Sequence, residues 1–374
     1  MDFDFTDDQI SLRDAVQRWV DKGFSFERRH ALAKAGGATR AVYGELAGLG
    51  LTALAVSPEH GGMGFGAVEA MVVMEELGRG LVNAPYAEAA LVTPVLLAAA
   101  PAALQAQWLP KVADGSALVV PALGERALRH RVGAQTTRAE RAGQSWRLHG
   151  AKTVVPAGDE ADAFVVPARL DDTGQRVALF LVESGADGLS LQAYPTQDGA
   201  RAAELGLDGA AATLLAEDGA QALALAHDTG LAAACAEGVG LMDRFVALTV
   251  EYMNQRKQFG VPIASFQALR HRIADVKMQL ELGRSMSYFA SLKLAEPPEQ
   301  RRRALSQAKV QLGHSMRFVG QQCVQLHGGI GVTDEYVGSH YFKRLTMLEL
   351  AYGDTLHHLG EVSQRMADTA GVFA

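Results

Sequence analysis

Two short segments carry the residues of this chain that could do chemistry. The first is RKQFG, Arg256–Gly260, and the second is QLHGG, Gln325–Gly329; each follows a long helical pattern. A guanidinium group matches phosphate oxygens in a two-pronged geometry, so Arg256 is a candidate phosphate ligand. Gly328 and Gly329 let a backbone turn sharply or approach a ligand closely. The chemistry indicated is the binding of a phosphate-bearing ligand.

Each segment also has a purely structural interpretation, which the sequence leaves open. Arg256 and Lys257 could offset the negative end of a helix, with Gly260 as the residue just beyond it. Gln325–Gly329 could be a helix end with a double-glycine exit. The glycines follow a helix and do not open one, so they are not the phosphate loop of the nucleotide-binding folds.

Metal binding and a disulfide framework are not indicated. His340 and the pair His357 and His358 are the candidate metal ligands, but no Cys, His and Asp cluster has ligand spacing, so we predict no metal site. Cys235 and Cys323 lie in apolar helical sequence, and we predict that both are buried.

Helical patterns flank a β-rich middle section. Short β-type runs extend from about residue 116 to 216, and Leu207–Ala210 is predicted as a turn. No βαβ alternation occurs, which argues against a Rossmann fold. We predict three domains: helical at 1–115, β at 116–217 and helical at 218–374. The first predicted helix follows Thr6, which is its predicted N-cap. The other predicted helices cover Arg40–Leu49, Ala67–Gly78, His227–Gln255, Phe266–Ala295, Arg301–Gln325 and Thr346–Ala370.

Composition excludes several classes of function. The 374 residues carry a net charge of −7, which argues against a general nucleic-acid binder. The N-terminal residues lack the basic and apolar regions of a signal peptide. The apolar stretch Ala87–Leu104 is interrupted by Pro94 and Pro101, so we predict no integral membrane segment. A cytoplasmic protein is expected.

Five blocks of this sequence together resemble one family, the acyl-CoA dehydrogenases. The resemblance covers nearly the full length, and within the family it is strongest to the small subunit of pimeloyl-CoA dehydrogenase-like enzymes, through MDFDFT, EYMNQRKQFG and HYFKRLTM. The last two of the five blocks are highly specific in combination. The blocks are FDFTDDQISLRDAVQRW, PEHGGMG, VMEELGRG, RKQFGVPIASFQALRHRIAD and QLHGGIGVTDEY.

The resemblance implies an α+β fold and one cofactor, FAD. The fold would comprise an N-terminal helical domain, a middle β domain and a C-terminal four-helix bundle. The substrate would be an acyl-CoA thioester, the electron acceptor an electron-transfer flavoprotein, and FAD would lie at a subunit interface. In the family, one set of residues contacts the FAD of a neighbouring subunit. The residues of this chain that match these positions are Arg256, Gln258, Phe259, Gln325, His327, Gly328 and Gly329.

The chain departs from the family at the catalytic positions. The usual base is a Glu that follows a Tyr, and here Gly353 stands at that Glu and Asp354 at the next glycine. The alternative base position falls near Gly230, again without a carboxylate. The flavin-covering Trp-Ile-Thr reads Val154–Pro156, and proline has neither a hydroxyl nor an N–H to donate. The Thr-Glu-Pro motif of the β domain is also altered, within Ala122–Gly133.

These departures lead to the hypothesis that the chain is half of an enzyme. It would contribute FAD-binding residues to a partner subunit in an α2β2 heterotetramer, and the partner would supply the base. One alternative is a self-sufficient homo-oligomer with Asp354 as a shifted base. Another is a scaffold subunit without catalysis, and a third is a nitroalkane oxidase or flavin monooxygenase of the same fold. Glu237 is predicted to be solvated or at an interface.

Overall fold

The computed structural model describes residues 5–36, 39–131, 133, 135–143, 145–170 and 176–369. The chain divides into two compact units. Unit 1 comprises Met1–His30, Ala67–Val82 and Leu231–Ala374, and unit 2 comprises Ala31–Gly66 and Asn83–Gly230. The three domains predicted from the sequence, with boundaries at about residues 115 and 217, are a different division of the chain and stay a prediction.

Helices and strands follow the predicted order of helical, β and helical sections. The helices are α1 Asp7–Gly23, α2 Phe26–Lys34, α3 Thr39–Gly48, α4 Ala67–Arg79, α5 Thr93–Leu97, α6 Ala102–Ala113, α7 Ala220–Gln255, α8 Gln267–Lys293, α9 Pro298–His327, α10 Val337–Leu350 and α11 Thr355–Thr369. The strands are β1 Val119–Pro121, β2 Arg138–Ala142, β3 Ser145–Pro156, β4 Ala163–Arg169, β5 Val177–Glu183, β6 Leu189–Pro195, β7 Arg201–Ala216, β8 Lys257–Gln258 and β9 Val261–Pro262.

Unit 1 is a helical unit with one main core. Helix α1 begins as predicted, because the Thr6 hydroxyl accepts the backbone N–H of Gln9 and the Gln9 side chain accepts that of Thr6. The core lies among α7, α8, α9 and α10, and Cys235 and Cys323 are buried free thiols within it, as predicted. Burial raises the pKa of Cys235 to about 11, so this thiol is unreactive at neutral pH.

The single last helix predicted from Thr346 to Ala370 is wrong. Two helices occupy this region, and the chain breaks between Leu350 and Thr355. Tyr352 has φ 56° and Gly353 has φ 102°, which a continuous α-helix cannot contain. Apolar periodicity continues through the break, which is why the sequence pattern did not reveal it; Ala370 lies outside the described residues.

Unit 2 contains the β domain. Its seven-stranded sheet has the order β1-β4-β2-β3-β7-β5, with β6 paired to β7 and β5 also paired to β4, so that the sheet closes on itself. The turn predicted at Leu207–Ala210 is wrong, because these residues lie inside β7. Gly209 is the extra residue of a β-bulge opposite Leu148 and His149, and its φ of 67° accounts for the turn-like sequence.

Helical segments that were not predicted include α2, α5, α6 and a π-helix at Ala87–Val92. They occur in Ala-rich or highly charged sequence, where apolar periodicity is weak. Within the described residues, no helix combines the length and the apolar character that a membrane crossing requires.

Candidate functional site

The Arg256 segment forms a short hairpin after α7. Helix α7 ends at Gln255, and Lys257–Gln258 pairs with Val261–Pro262 around Phe259 and Gly260, with φ values of 55° and 79°. Gly260 therefore belongs to a hairpin turn, and the helix-terminating role considered for it is wrong. The Phe259 ring is 91% exposed. Holding a non-glycine residue in this conformation costs about 1–2 kcal/mol, so the hairpin displays an aromatic ring under strain.

The Gln325 segment ends α9 in a buried aromatic cluster. The His327 ring lies 4.6 Å from the Tyr252 ring and 5.9 Å from the Phe245 ring, measured between centroids. Its Nδ1–H donates to the Cys323 carbonyl at 2.8 Å, and the Tyr336 hydroxyl donates to its Nε2 at 2.7 Å. Burial lowers the pKa of His327, so the ring is neutral and fixed in one tautomer.

The hairpin and the Gln325 segment lie side by side at one end of unit 1. Tyr252 precedes Arg256 by one helical turn, and its ring contacts that of His327. Met253, Ile263 and Leu326 form a small apolar cluster beneath both segments. The structure thus brings together the predicted FAD-binding positions, which lie about 70 residues apart in the sequence.

The donors at this end of unit 1 suit a diphosphate and a flat ring. Arg256, Gln258 and Gln325 are exposed, which leaves guanidinium and amide groups accessible. A Cβ built on Gly328 or Gly329 would meet no atom within 4 Å, so the backbone there is open to a ligand. These residues fit FAD in its adenosine diphosphate part.

Gly353, which the sequence predicts at the family's base position, leaves no room for a side chain. A Cβ at Gly353 would lie 2.6 Å from His358 Nε2 and 2.7 Å from His357 Cδ2. Asp354 is partly buried, and its Oδ1 accepts the backbone N–H of His357 at 2.7 Å. This is an N-cap contact at the start of α11.

Three buried residues that the sequence did not single out for this role hold the same loop. Lys309 is fully buried, and its Nζ donates to the carbonyls of Leu348 and Ala351, the latter at 2.8 Å. Glu349 accepts the backbone N–H of Thr355 at 3.0 Å. His358 Nε2–H donates to the Tyr352 carbonyl at 2.9 Å, and the Ser306 hydroxyl lies 3.2 Å from its Nδ1.

Burial sets the protonation of these groups. It lowers the pKa of Lys309 to about 8, with Cys235, Glu349 and Asp354 acting in the opposite direction, so Lys309 stays charged at neutral pH. It lowers the pKa of His358 to about 3, so this ring is neutral. The charged Lys309 therefore lies at the negative C-terminal end of α10, where it favours the end of this helix before α11 begins.

At the alternative base position on α7, Gly230 and Leu231 carry no carboxylate, and both residues are buried. Glu237 is 6% exposed and forms a two-pronged ion pair with Arg344, at 2.6 Å and 2.8 Å. Of the two predicted environments of Glu237, the solvated one is wrong, because the side chain is buried against α10 in unit 1; the interface one stays a prediction.

In unit 2, the segments that match the family's flavin motifs are ordered by an internal ion pair. Lys152 Nζ lies 2.6 Å from Glu125 Oε1, and both residues are buried. Burial opposes the charge on Glu125, but Lys152 and two threonine hydrogen bonds hold the pKa of Glu125 at about 2. Two residues further along β3, Val154 has φ 53° and is 51% exposed. With Pro156 after it, this strand end lacks the side-chain donors expected beside a flavin ring.

His30, Asp334 and His340 bring their ligand atoms within 4.8 Å of one another, a group absent from the sequence prediction. His340 Nδ1 accepts from Arg29 at 3.0 Å, and its Nε2–H donates to the Asp334 carbonyl at 2.8 Å. Lys343 pairs with the Asp334 carboxylate at 3.0 Å. Arg29 and Lys343 already place two positive charges against this group, so it does not suit a metal ion.

Comparisons with known proteins identify the family. Residues 6–116, 122–208 and 217–367 match the acyl-CoA dehydrogenase N-terminal, middle and C-terminal domains. The chain is 29% identical to the acyl-CoA dehydrogenase FadE27 of Mycobacterium tuberculosis, over 99% of this chain and 100% of that protein. The chain belongs to the acyl-CoA dehydrogenase family. This membership supports an oxidoreductase activity on a CH–CH bond, the FAD-linked dehydrogenation of acyl-CoA thioesters.

Two solved structures are similar over nearly the whole fold. One is the ChsE4–ChsE5 complex from Mycobacterium tuberculosis, with a TM-score of 0.89 and 29% identity over 98% of this chain and 99% of that one. The other is a structure of the electron transferring flavoprotein of Acidaminococcus fermentans, with a TM-score of 0.89 and 25% identity over 98% and 99%. The predicted three-part α+β fold is confirmed by these matches and by the three family domains.

Proposed function

We propose that this chain is the base-lacking subunit of a heteromeric, FAD-linked acyl-CoA dehydrogenase. Arg256, Gln258 and Phe259 on the hairpin, with Gln325, Gly328 and Gly329 beside them, would bind the FAD of a partner subunit. His327 would contribute by holding the turn, since both of its ring nitrogens are engaged within the chain. The similarity to the ChsE4–ChsE5 complex supports a second dehydrogenase-like subunit in the assembly.

The state of Gly353 carries this proposal. A chain that had merely lost its base would keep room for one, whereas here the backbone has φ 102° and the space of a Cβ is filled by His357 and His358. When bound, FAD accepts the hydride equivalent from the β-carbon of the acyl group. The α-proton then needs a carboxylate base, and we propose that the partner subunit supplies it.

The surface of unit 1 supports association with another chain. Phe259, Val332 and Leu356 are 91%, 71% and 76% exposed. Large apolar side chains at such exposure mark interaction surfaces when they occur together. Phe259 is one of the predicted FAD residues and Val332 follows Gly329 by three residues, which favours an interface that contains the cofactor.

The alternative of Asp354 as a shifted base has less support. Its carboxylate is committed to the N-terminus of α11 through the His357 N–H. Asp354→Asn separates the two functions, because asparagine caps helices about as well as aspartate but is not a base. We expect full turnover from the heteromeric complex that contains Asp354→Asn. Loss of turnover with unchanged folding would instead support the self-sufficient enzyme.

The decisive experiment is co-expression with a dehydrogenase-like subunit encoded beside this chain. We expect the chain alone to bind little FAD and to lack turnover, and the complex to bind FAD and reduce an acceptor with an acyl-CoA. Arg256→Gln should lower the FAD content of the complex, whereas Arg303→Gln, at an exposed site on α9, should not. Stoichiometric FAD and strong turnover without a partner would refute the proposal.

The same complex distinguishes a scaffold subunit from a cofactor-binding one. If the chain only stabilises its partner, Arg256→Gln will leave the FAD content unchanged. Resemblance to the pimeloyl-CoA group favours dicarboxylic or ring-derived acyl-CoA as the substrate to test first. An electron-transfer flavoprotein is the acceptor to test, supported by the similarity to the Acidaminococcus fermentans structure.

A further inference from the structure

We propose that a cavity within unit 1 binds an organic anion that carries an apolar tail. The cavity has a volume of about 390 Å³, which lies in the range of about 300–1,000 Å³ typical of ligand pockets. Its walls come from the end of α1, the start of α2, the end of α4, the middle of α7 and α10. The lining residues differ from the residues assigned above to FAD and to the base position.

The charge of the lining favours an anion. Three arginines, Arg29, Arg79 and Arg244, line the cavity together with one acidic residue, Asp21. Arg79 pairs with Asp243 at 2.9 Å, so its charge is largely compensated. An anionic ligand would meet the positive charge of Arg244.

Arg29 and Arg244 differ in how they present their guanidinium groups. Arg29 is 1% exposed and is held by its Nε–H, which donates to the Leu81 carbonyl at 3.0 Å. Arg244 is exposed and lines the cavity beside Tyr341, whose hydroxyl donates to the Arg79 carbonyl at 2.6 Å. A guanidinium has five N–H donors, so Arg244 has donors to offer a ligand.

Beside the polar Gln17 and Ser25, part of the wall is apolar. Val20, Phe24 and Leu81 are 6%, 3% and 3% exposed, and Leu248 and Val337 are partly buried beside them. Leu81 has φ 52°, a conformation that is strained for a residue with a Cβ. Strain of this kind persists where surrounding structure enforces it, often at ligand sites.

These two faces together specify the ligand class. A carboxylate on a short hydrocarbon chain would place its charge against Arg244 and its tail against Phe24 and Leu248. Inorganic phosphate would leave the apolar part of the wall uncovered, and a neutral alcohol would leave the Arg244 guanidinium without an anion. The favoured ligand is therefore a small amphiphilic carboxylate.

Calorimetric titration of the complete chain with octanoate, 1-octanol and inorganic phosphate tests this assignment. We expect octanoate to bind at least about ten-fold more tightly than either of the other two probes. Arg244→Gln should weaken octanoate binding about ten-fold or more, the loss expected when a charge-assisted hydrogen bond is removed. Arg303→Gln, an exposed arginine elsewhere on unit 1, should bind as the unsubstituted chain does.

A second substitution locates the tail. Leu248→Trp fills the cavity and should abolish octanoate binding, while its melting temperature reports whether the variant is folded. No octanoate binding at millimolar concentration would overturn the proposal. So would equal effects of Arg244→Gln and Arg303→Gln, or unchanged octanoate binding by folded Leu248→Trp.

Discussion

Placing a glutamate at Gly353, the predicted base position, should destabilise this chain and should not give the isolated chain dehydrogenase activity. In Gly353→Glu, the new residue must adopt φ near 102°, which costs about 1–2 kcal/mol for any residue with a Cβ. Its Cβ would also lie 2.6 Å from His358 Nε2. His358 is fully buried, so moving it breaks the bond to the Tyr352 carbonyl and adds overpacking of about 1–3 kcal/mol.

Together these terms predict a loss of about 2–5 kcal/mol in the free energy of unfolding. That is a large part of the stability of an ordinary domain, about 5–15 kcal/mol. Urea denaturation of Gly353→Ala measures the backbone and Cβ costs alone, and we expect most of the loss to appear there. Acyl-CoA-dependent turnover of isolated Gly353→Glu should stay at background.

Gly360 supplies the matched control. It lies inside α11, where an added Cβ would meet no atom within 4 Å. Gly360→Ala should therefore stabilise the chain by about 0.5–1 kcal/mol. The reasoning is refuted if Gly353→Ala is as stable as the unsubstituted chain, or if isolated Gly353→Glu oxidises acyl-CoA.

Three further changes test the packing described above. Arg344→Met leaves Glu237 buried without its partner and should cost about 3–5 kcal/mol in urea denaturation, whereas the double change with Glu237→Met should recover most of the loss. The pKa of His358 in the folded state is about 3, below its usual 6.5, so the unfolded state binds an extra proton as the pH falls. The stability that is present above pH 6.5 should therefore decline by about 2 kcal/mol by pH 5. A His358→Gln variant should lack this contribution. Val154→Gly should raise the melting temperature by relieving strain at an exposed site, and an unchanged or lower value would contradict that account.

Local patterns in the sequence determined much of what could be predicted. The Thr6 N-cap, the helix at Arg301–Gln325 and the β-rich middle section are set by capping and periodicity over short distances, and the structure confirms each. The RKQFG and QLHGG motifs predicted FAD-binding residues, and the fold places these segments side by side at one end of unit 1. The family implied by these motifs is confirmed by the domain matches.

Only the tertiary structure decided what stands at the base position. The sequence shows a glycine at position 353, and a glycine is compatible both with free space for a larger side chain and with neighbours that fill that space. His358, Lys309 and Glu349 come from three different helices, α11, α9 and α10, and their hydrogen bonds fix the backbone of the loop. Such contacts depend on how helices pack, and periodicity carries no information about them. For the same reason, the burial of Glu237 against Arg344 and the arginine-lined cavity became visible only once the helices were assembled.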